Sequence, residues 1–161
     1  MNAEVPEGRR RNMAAIRGKN TKPEMAVRRA LHALGYRYRL HESGLPGRPD
    51  LTFPARKAAV EIRGCFWHRH GCANSTLPKT RAEWWDQKLA RNVARDQANS
   101  VALVAAGWRL HVMWECDIRA DLANSLTHVR RFLGPPRLPG VGRHVTQPVI
   151  RSFATPRNLV R

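Results

Sequence analysis

Apolar positions along the chain first follow the period of a helix. Apolar side chains at positions 27, 30, 31 and 34 have the i, i+3, i+4, i+7 spacing of one helix face. Thr21-Lys22-Pro23-Glu24 supplies a capping hydroxyl, an early proline and an acid three residues after the cap, so a helix is predicted over 22–34, ending at Gly35. Glu24 falls on the face of Val27 and Leu31, and its inward carboxylate is either part of the cap or part of a site.

The chain then alternates between the period of a strand and that of a helix. Alternating or continuous apolar residues predict strands at 36–40, 49–53, 58–63 and 108–114. A second capping box, Thr80-Arg81-Ala82-Glu83, predicts a long helix over 80–106, and a last helix is predicted over 117–133. The order αβββαβα predicts an α/β fold with a mixed sheet and helices on both faces.

The two ends of the chain differ in composition from this central domain, which is predicted over residues 21–133. Residues 1–20 are rich in Arg and Lys around an apolar stretch that contains Met13 and Ile16, and they are interpreted as a basic arm or as a solvated tail. Residues 134–161 hold Pro, Gly and Arg but no acid, and this composition predicts a disordered basic tail.

The charge of the chain indicates its partner. Lys and Arg number 29 against 12 Asp and Glu, and the formal charge of +17 is of the sign that binds phosphate backbones. Nucleic acid is therefore the predicted partner, although a ribosomal component or a membrane-surface binder would also be basic. The sequence has no long apolar run and no signal peptide at residues 1–11, so we expect a cytoplasmic protein without a membrane segment.

Cysteine and histidine cluster in the segment between the third strand and the long helix. Cys65, His68, His70 and Cys72 carry thiol and imidazole groups, the ligands that Zn²⁺ prefers, and Cys116 after the last strand could add another. A structural zinc takes four ligands, so one of the two histidines is left over for acid–base chemistry. The alternative is three inert buried cysteines and two surface histidines.

Two acids and a base fall on the predicted second and third strands. Asp50 follows Gly47-Arg48-Pro49, and Glu61 interrupts an otherwise apolar strand two residues before Arg63. Carboxylates on adjacent strands can bind Mg²⁺, and a nearby cation can stabilise the charged transition state of phosphodiester cleavage. This arrangement resembles the pattern of the PD-(D/E)xK nucleases.

Three strings in this order give the sequence a family resemblance. LPGRPD at 45–50, GCFWH at 64–68 and WEC at 114–116 resemble the Vsr endonuclease family, and the likeness runs from Arg11 to Phe132. The resemblance implies a restriction-endonuclease-like fold that nicks DNA 5′ to the thymine of a T·G mismatch, the lesion left by deamination of 5-methylcytosine. We therefore expect double-stranded DNA as substrate, catalytic Mg²⁺ and structural Zn²⁺. Mismatch-repair proteins and a cytosine methyltransferase encoded nearby are further expected partners.

The resemblance also implies roles for single residues. Asp50 would bind Mg²⁺, His68 would be the catalytic histidine, and Glu24 would be an acid near the active site. The implied zinc ligands are Cys65, His70, Cys72 and Cys116. The residues implied in DNA binding are Phe66, Trp67 and Trp85 as a wedge beside the mismatch, Met13 and Ile16 as an inserting arm, and Lys88 and Asn92 as readers of bases.

The sequence departs from the best-known family members at Glu61, Ile62 and Arg63, where they have an apolar residue, a threonine and a histidine. Ile62 can still offer its backbone carbonyl to Mg²⁺, while Glu61 and Arg63 restore the broader nuclease pattern.

Three hypotheses follow for the function. They are mismatch-directed nicking in DNA repair, nicking of modified or unmatched DNA in restriction or phage defence, and a non-catalytic zinc-dependent DNA-binding module. Asp50, Glu61 and His68 argue against the third, because a binding module has no use for acids that face phosphates. A monomer is expected, since a symmetric dimer would tend to cut both strands.

Overall fold

The computed structural model describes residues 7–8 and 18–137, which include the whole predicted central domain. Met13 and Ile16 of the basic arm, and the tail from residue 138 onward, lie outside the described residues. Their roles, and the boundaries of the arm and the tail, therefore stay predictions. Within the described part, no helix combines the length and the apolarity needed to cross a membrane.

Between residues 18 and 137 the chain forms a mixed series of helices and strands. The helices are α1 (Lys22–Ala33), α2 (Ala82–Ala105), α3 (Glu115–Ala120) and α4 (Leu122–Leu133). The strands are β1 (Arg39–Leu40), β2 (Leu51–Phe53), β3 (Ala58–Arg63) and β4 (Arg109–Trp114). Short 3₁₀ turns cover Pro54–Arg56 and Ala73–Ser75. Each predicted strand is present, and β3 has the predicted bounds, whereas β1 and β2 are shorter than predicted.

The strands form one mixed sheet in the order β1-β2-β3-β4, which confirms the predicted mixed sheet. β1 pairs antiparallel with β2, β2 pairs antiparallel with β3, and β3 pairs parallel with β4. Parallel strands need a crossover connection, and α2 provides it. The pairing runs from Ala58 opposite Arg109 to Arg63 opposite Trp114, so β3 and β4 end at the same edge of the sheet.

The predicted capping box at the start of α1 is confirmed. Thr21 is the N-cap, and its hydroxyl accepts a hydrogen bond from the backbone N–H of Glu24. The Glu24 carboxylate accepts in return from the backbone N–H of Asn20 and from the Thr21 hydroxyl, both at 2.9 Å. At the other end, Gly35 has a φ of +89°, and the backbone N–H of Tyr36 donates to the carbonyl of Leu31, as in a Schellman cap.

Two predicted helix boundaries are wrong. Helix α2 begins at Ala82 rather than at Thr80, because Arg81 occupies the N-cap position in a left-handed conformation (φ 55°) and makes no side-chain cap hydrogen bond. The predicted last helix is two helices, α3 and α4. Asp121 separates them in an extended conformation, where its carboxylate caps α4 by accepting from the backbone N–H of Asn124 at 2.9 Å.

Apolar side chains are buried on both faces of the sheet. Successive residues of β3 point to opposite faces, and Arg63, which shares a face with Ala59, donates to Ser100 Oγ of α2 at 3.1 Å. Helix α2 therefore covers that face, where Leu89 and Leu103 are fully buried. The other helices cover the opposite face through a cluster that includes Val27, Leu31, Val60, Met113, Ile118, Val129 and Leu133.

Replacing Leu103 with alanine is expected to destabilise the fold by about 2–5 kcal/mol, because the truncation leaves a cavity between α2 and the sheet. The matched control is Val104→Ala on the same helix, whose side chain is 59% exposed. The control should change the free energy of unfolding by less than about 0.5 kcal/mol. Urea unfolding followed by circular dichroism measures both variants. Equal losses would show that α2 does not pack on the sheet through Leu103.

Candidate active site and metal cluster

An open cleft of about 820 Å³ lies at the edge of the sheet where β3 ends. Its walls come from the start of α1, the loop before β2, the end of β3 with the turn that follows, and the polar face of α2. All the residues that were predicted to be catalytic line the cleft, namely Glu24, Asp50, Glu61, Arg63 and His68. Ile62 lines it as well. The fold therefore gathers side chains from separate segments of the chain around one space.

Asp50 directly precedes β2 and is tied to the neighbouring strand. Asp50 Oδ2 accepts a hydrogen bond from the backbone N–H of Ile62 at 2.7 Å. Burial raises the pKa of Asp50 to about 6, and the nearby carboxylates of Glu24 and Glu61 add to the rise. The Ile62 hydrogen bond and the Arg28 guanidinium act in the opposite direction. The charged form of Asp50 is thus poorly compensated by its surroundings.

Arg28 connects Glu24 to His41, and sequence reasoning missed both Arg28 and His41. Arg28 Nη2 donates to Glu24 Oε2 at 2.9 Å and lies 3.0 Å from His41 Nε2. His41 Nδ1 lies 3.8 Å from Asp50 Oδ1, and burial, together with the charge of Arg28, lowers the pKa of His41. The i, i+4 spacing of Glu24 and Arg28 could have revealed this ion pair. His41 follows the short strand β1, and nothing in the local pattern relates it to α1.

His68 is held by Asp96 of α2, another residue that sequence reasoning missed. His68 Nδ1 and Asp96 Oδ2 are in direct hydrogen-bonding contact, and both residues line the cleft. A carboxylate only accepts, so we assign the imidazole proton to Nδ1, which leaves the lone pair of the neutral ring on Nε2. Asp96 follows Asn92 by four residues and so lies on the same face of α2, and this spacing is the signal that could have revealed it.

Glu61 and Arg63 form an ion pair on the α2 side of β3. Arg63 donates to Glu61 Oε2 through Nε at 2.9 Å and through Nη2 at 2.6 Å. The Arg63 Nη2 also donates to Ser100 Oγ, so the guanidinium is fixed between the strand and the helix. A carboxylate in an apolar strand needs a partner, and Arg63 supplies it two residues later.

The carboxylates of the cleft have the chemistry of a Mg²⁺ site, because Mg²⁺ prefers oxygen ligands. Glu24, His41 and Asp50 each have one donor atom within 4.8 Å of the others. Glu61 lines the same cleft from the neighbouring strand. The donor set therefore fits a divalent ion bound at Asp50.

Cys65, His70, Cys72 and Cys116 form a second group of possible ligands at the same edge of the sheet. Their donor atoms all lie within 4.8 Å of one another, which fits the four ligands of a tetrahedral Zn²⁺ with bonds of about 2.0–2.3 Å. Cys116 Sγ is 3.3 Å from His70 Nδ1, and the three cysteines form no disulfide. His68 is not a member of this group, so the fold places the two histidines of the loop in different surroundings.

The thiols of this group differ in their pKa values. A hydrogen bond with His70 lowers the pKa of Cys72 to about 6. Burial raises the pKa of Cys116 to about 12, and burial also raises the pKa of Cys65. A metal ion binds thiolates, so zinc bound here would displace protons from the two thiols of high pKa. The ring of His70 is stacked on Trp114 at 4.1 Å, which fixes its orientation.

Four aromatic side chains, here named the aromatic cluster, pack together beside the cleft: Phe66, Trp67, Trp84 and Trp85. The Phe66 ring lies 5.1 Å from that of Trp67 and 5.3 Å from that of Trp85, in edge-to-face contacts. Trp84, which was not among the predicted DNA-binding residues, lies 4.8 Å from Trp85. Trp67 lines the cleft and Trp84 is 39% exposed, whereas Trp85 is 8% exposed.

Polar residues of α2 connect the aromatic cluster to the cleft. Lys88 Nζ lies 4.7 Å from the ring centre of Trp84 and 5.8 Å from that of Trp67. Asn92 Nδ2 donates to the carbonyl oxygen of Trp67 at 3.3 Å, and Asn92 Oδ1 accepts from Arg95 Nη2 at 3.2 Å. Both ends of the Asn92 amide are therefore engaged. The cations that line the cleft are Lys19, Arg48, Arg63 and Arg95.

Comparison with known proteins gives matches over most of the chain. The family model for DNA mismatch endonuclease Vsr matches residues 1–74. The Type II nicking enzyme V.XorIIP of Xanthomonas oryzae pv. oryzae is 48% identical over 130 residues, which cover 81% of this chain and 95% of that protein. The Type II nicking enzyme V.NaeI of Lentzea aerocolonigenes is 47% identical over 137 residues, covering 79% of this chain and 81% of that protein.

A third relative is the DNA mismatch endonuclease Vsr of Escherichia coli. It is 37% identical over 111 residues, which cover 69% of this chain and 71% of that protein. The residues that the family model matches include Glu24, Asp50, Glu61 and the segment 64–72. The chain therefore belongs to the Vsr family of DNA endonucleases.

Proposed function

We propose that this protein is a divalent-metal-dependent endonuclease that nicks one strand of duplex DNA. The observation that carries the proposal is the cleft, where Asp50, tied to β3, and His68, held by Asp96, line the same space. A carboxylate for the metal and an oriented imidazole are the groups that metal-assisted phosphodiester hydrolysis requires. The formal charge of +17 and the cations of the cleft favour binding of the phosphate backbone.

In the mechanism that we propose, the cleft residues divide into ligands and proton carriers. Asp50, Glu61 and the backbone carbonyl of Ile62 are the groups that would hold Mg²⁺, which polarises the scissile phosphate when bound. His68 Nε2 accepts a proton from the attacking water, because His68 Nδ1 is engaged by Asp96. Asp96 holds the imidazole in this tautomer and stabilises the imidazolium that forms.

Arg63 stabilises the negative charge that develops on the phosphate. Its Nε and Nη2 are bound to Glu61 and Ser100, while Nη1 makes no hydrogen bond to the described residues and is available to a phosphate oxygen. A guanidinium that is already fixed loses little conformational freedom when it binds the substrate.

A T·G mismatch is the substrate that we propose, with nicking 5′ to the thymine. The similarity to the Escherichia coli DNA mismatch endonuclease Vsr supports this, and so does the aromatic cluster, since apolar side chains can insert between base pairs and unstack them. Trp67, which lines the cleft, and the exposed Trp84 are the rings that would insert, with Phe66 and Trp85 in edge-to-face contact with them. Lys88 and Asn92 would read bases, and Asn92 would have to exchange its bond to the Trp67 carbonyl for one to a base.

Nicking of modified or unmatched DNA in restriction or phage defence is the second candidate function. Two of the relatives named Type II nicking enzymes are 48% and 47% identical to this chain, against 37% for the Escherichia coli mismatch endonuclease. The Glu61–Arg63 ion pair also places two charges where the best-known family members have an apolar residue and a histidine. These charges alter the surroundings of the scissile phosphate.

A non-catalytic zinc-dependent DNA-binding module is the third hypothesis, and the cleft disfavours it. Asp50, Glu61 and Asp96 would repel the phosphates of a ligand that is only bound and not cut. We further propose a monomer with the restriction-endonuclease-like fold, a structural Zn²⁺ at Cys65, His70, Cys72 and Cys116, and mismatch-repair proteins and a cytosine methyltransferase as partners.

Replacing Asp50 with asparagine is expected to lower the nicking rate by about 1000-fold or more, because the metal loses its charged ligand. DNA binding at low salt should survive or tighten as repulsion from the phosphates is removed. Nicking of a plasmid and a mobility-shift titration measure the two effects, with Glu83→Gln at the exposed start of α2 as the control. Normal nicking by the Asp50 variant would contradict the assignment.

The Asp50→Asn variant should also have a free energy of unfolding about 1–3 kcal/mol higher than that of the natural protein, when both are metal-free at neutral pH. The folded-state pKa of about 6 lies above the unfolded value, so folding disfavours the ionised carboxylate. That penalty is fully present above the folded pKa and disappears as pH falls to the unfolded value of about 3.9. Urea unfolding at two pH values measures the difference, which should shrink on acidification.

Replacing Cys72 with serine and replacing His68 with asparagine should have opposite effects. The Cys72 variant loses a member of the cysteine–histidine group, so we expect it to release zinc and to unfold at lower urea concentration. The His68 variant should nick about 100- to 10,000-fold more slowly and keep its zinc. Zinc content by mass spectrometry, together with a nicking assay, measures both. Loss of zinc from the His68 variant would mean that the two histidines have been assigned wrongly.

Substrate choice separates mismatch repair from defence. Two duplexes of the same sequence context, one with a T·G mismatch and one fully paired, are incubated with the protein and Mg²⁺. Nicking confined to the strand that carries the mismatched thymine, on its 5′ side, is the expected result, because the aromatic cluster inserts most readily at a weakly stacked pair. Equal nicking of both duplexes would move the function to restriction or defence.

A further inference from the structure

Arg48 carries a positive charge that no described residue neutralises. Its side chain is exposed and lines the cleft, and it makes no hydrogen bond or ion pair to the described residues. Arg63 of the same cleft is bound to Glu61 at 2.6 Å. Arg95, also in the cleft, donates to the amide oxygen of Asn92. Within the described part of the chain, nothing competes with a ligand for the N–H donors of Arg48.

The backbone around Arg48 is a strained turn. The backbone N–H of Arg48 donates to the carbonyl of Leu45 at 3.1 Å. This bond closes a β-turn whose central residues are Pro46 and Gly47, and the φ of +74° at Gly47 is typical of a type II turn. Arg48 itself has a φ of +50°, a left-handed conformation that residues other than glycine rarely adopt. The arginine side chain is therefore held here at a cost in backbone strain, as is common at functional sites.

The turn is held between α2 and the core. A Cβ atom at Gly47 would lie 3.1 Å from Cβ of Asn99 and 3.3 Å from its Nδ2, so the turn and the helix are in direct contact. Pro49 is fully buried, and Asp50 is tied to β3. The backbone on both sides of Arg48 is thus fixed, and the Cα atoms of Arg48 and Asp50 are at most about 7 Å apart.

We propose that Arg48 binds a backbone phosphate of the nicked strand next to the scissile one, and so sets the register of that strand over Asp50. The ion proposed at Asp50 holds the scissile phosphate, and a long side chain that begins two residues earlier falls beside it. A guanidinium binds phosphate through two parallel N–H···O bonds. Because the turn is already fixed, binding orders little of the backbone. The inference rests on the proposed nuclease function for the identity of the strand and of the scissile phosphate.

The salt dependence of DNA binding tests the contact. One neutralised phosphate contributes about 0.9 to the slope of log K against log salt concentration, so Arg48→Ala should reduce the slope by about 0.9. Its affinity at about 0.1 M salt should fall about 10- to 100-fold, as expected for a charge-assisted hydrogen bond. Fluorescence anisotropy with a labelled T·G duplex, without added Mg²⁺, measures both. The control is Arg39→Ala, whose side chain is 69% exposed and does not line the cleft, and it should keep the natural slope.

A neutral phosphate locates the contact. On the duplex that the protein nicks, one methylphosphonate is placed at each phosphate around the nick in turn. The natural protein and Arg39→Ala should lose affinity when the phosphate beside the scissile one is neutral, whereas Arg48→Ala should bind that duplex and the unmodified one equally. Arg48→Lys should recover part of the affinity, because lysine binds phosphate as a point charge. The nicking defect of Arg48→Ala should lie mainly in KM, since the contact precedes the transition state.

Arg48→Gly separates the strain from the contact. It should show the same loss of slope as Arg48→Ala but unfold at a higher temperature, because glycine adopts a positive φ readily.

An unchanged salt slope in Arg48→Ala would overturn the proposal. So would a nicking defect confined to kcat, or equal sensitivity of Arg48→Ala and the natural protein to every neutral phosphate. A protein whose slope falls in Arg48→Ala but which nicks no duplex would instead contradict the proposed function and leave the phosphate contact standing.

Discussion

Parallel pairing between β3 and β4 is the constraint on which the whole site depends. The pairing covers all of β3 and ends both strands at one edge of the sheet. Segments 64–72 and 115–116, which are distant in sequence, therefore meet there, and Cys116 lies beside Cys65, His70 and Cys72 of the first segment. His68 lies inside that same segment. A metal bound at the cysteine–histidine group would fix this segment and with it the His68 imidazole against Asp96, so one piece of backbone would serve both the proposed structural role and the proposed catalytic role.

The carboxylates of the cleft differ in how far their charge is neutralised. Glu24 is paired with Arg28 at 2.9 Å, and Glu61 is paired with Arg63 at 2.6 Å. Asp50 has a backbone N–H and a more distant imidazole, and burial raises its pKa to about 6. Among the described residues that line the cleft, Asp50 is thus the one carboxylate without an arginine partner, at the point where a catalytic cation would contribute most. In the metal-free protein the charged form of Asp50 therefore lowers stability, a cost that residues of active sites commonly carry.

Local signals predicted most of the fold and part of the site. The capping box of α1 formed because its acid and hydroxyl are three residues apart in one turn. The second predicted capping box, at residues 80–83, did not form, because Arg81 takes the N-cap position in a left-handed conformation. The grouping of Cys65, His70, Cys72 and Cys116 was predictable because most of these residues are close in sequence. His41 was not, because its contact with Arg28 joins a loop to a helix and depends on the tertiary fold. Asp96 could have been predicted to lie near the site, because it shares a helix face with Asn92.

The packing of the aromatic cluster bears on how a mismatch could be recognised without many base-specific hydrogen bonds. The rings of Trp67 and Trp84 contact Phe66, Trp85 and the ammonium group of Lys88. The proposed insertion into DNA would exchange these ring contacts for contacts with bases, so the gain from insertion would be partly offset by the contacts that are lost. The balance then depends on the cost of unstacking the base pairs, which is lowest at a mismatch. A wedge that is already well packed therefore discriminates better than a freely exposed one, because insertion is favourable only where the duplex opens easily.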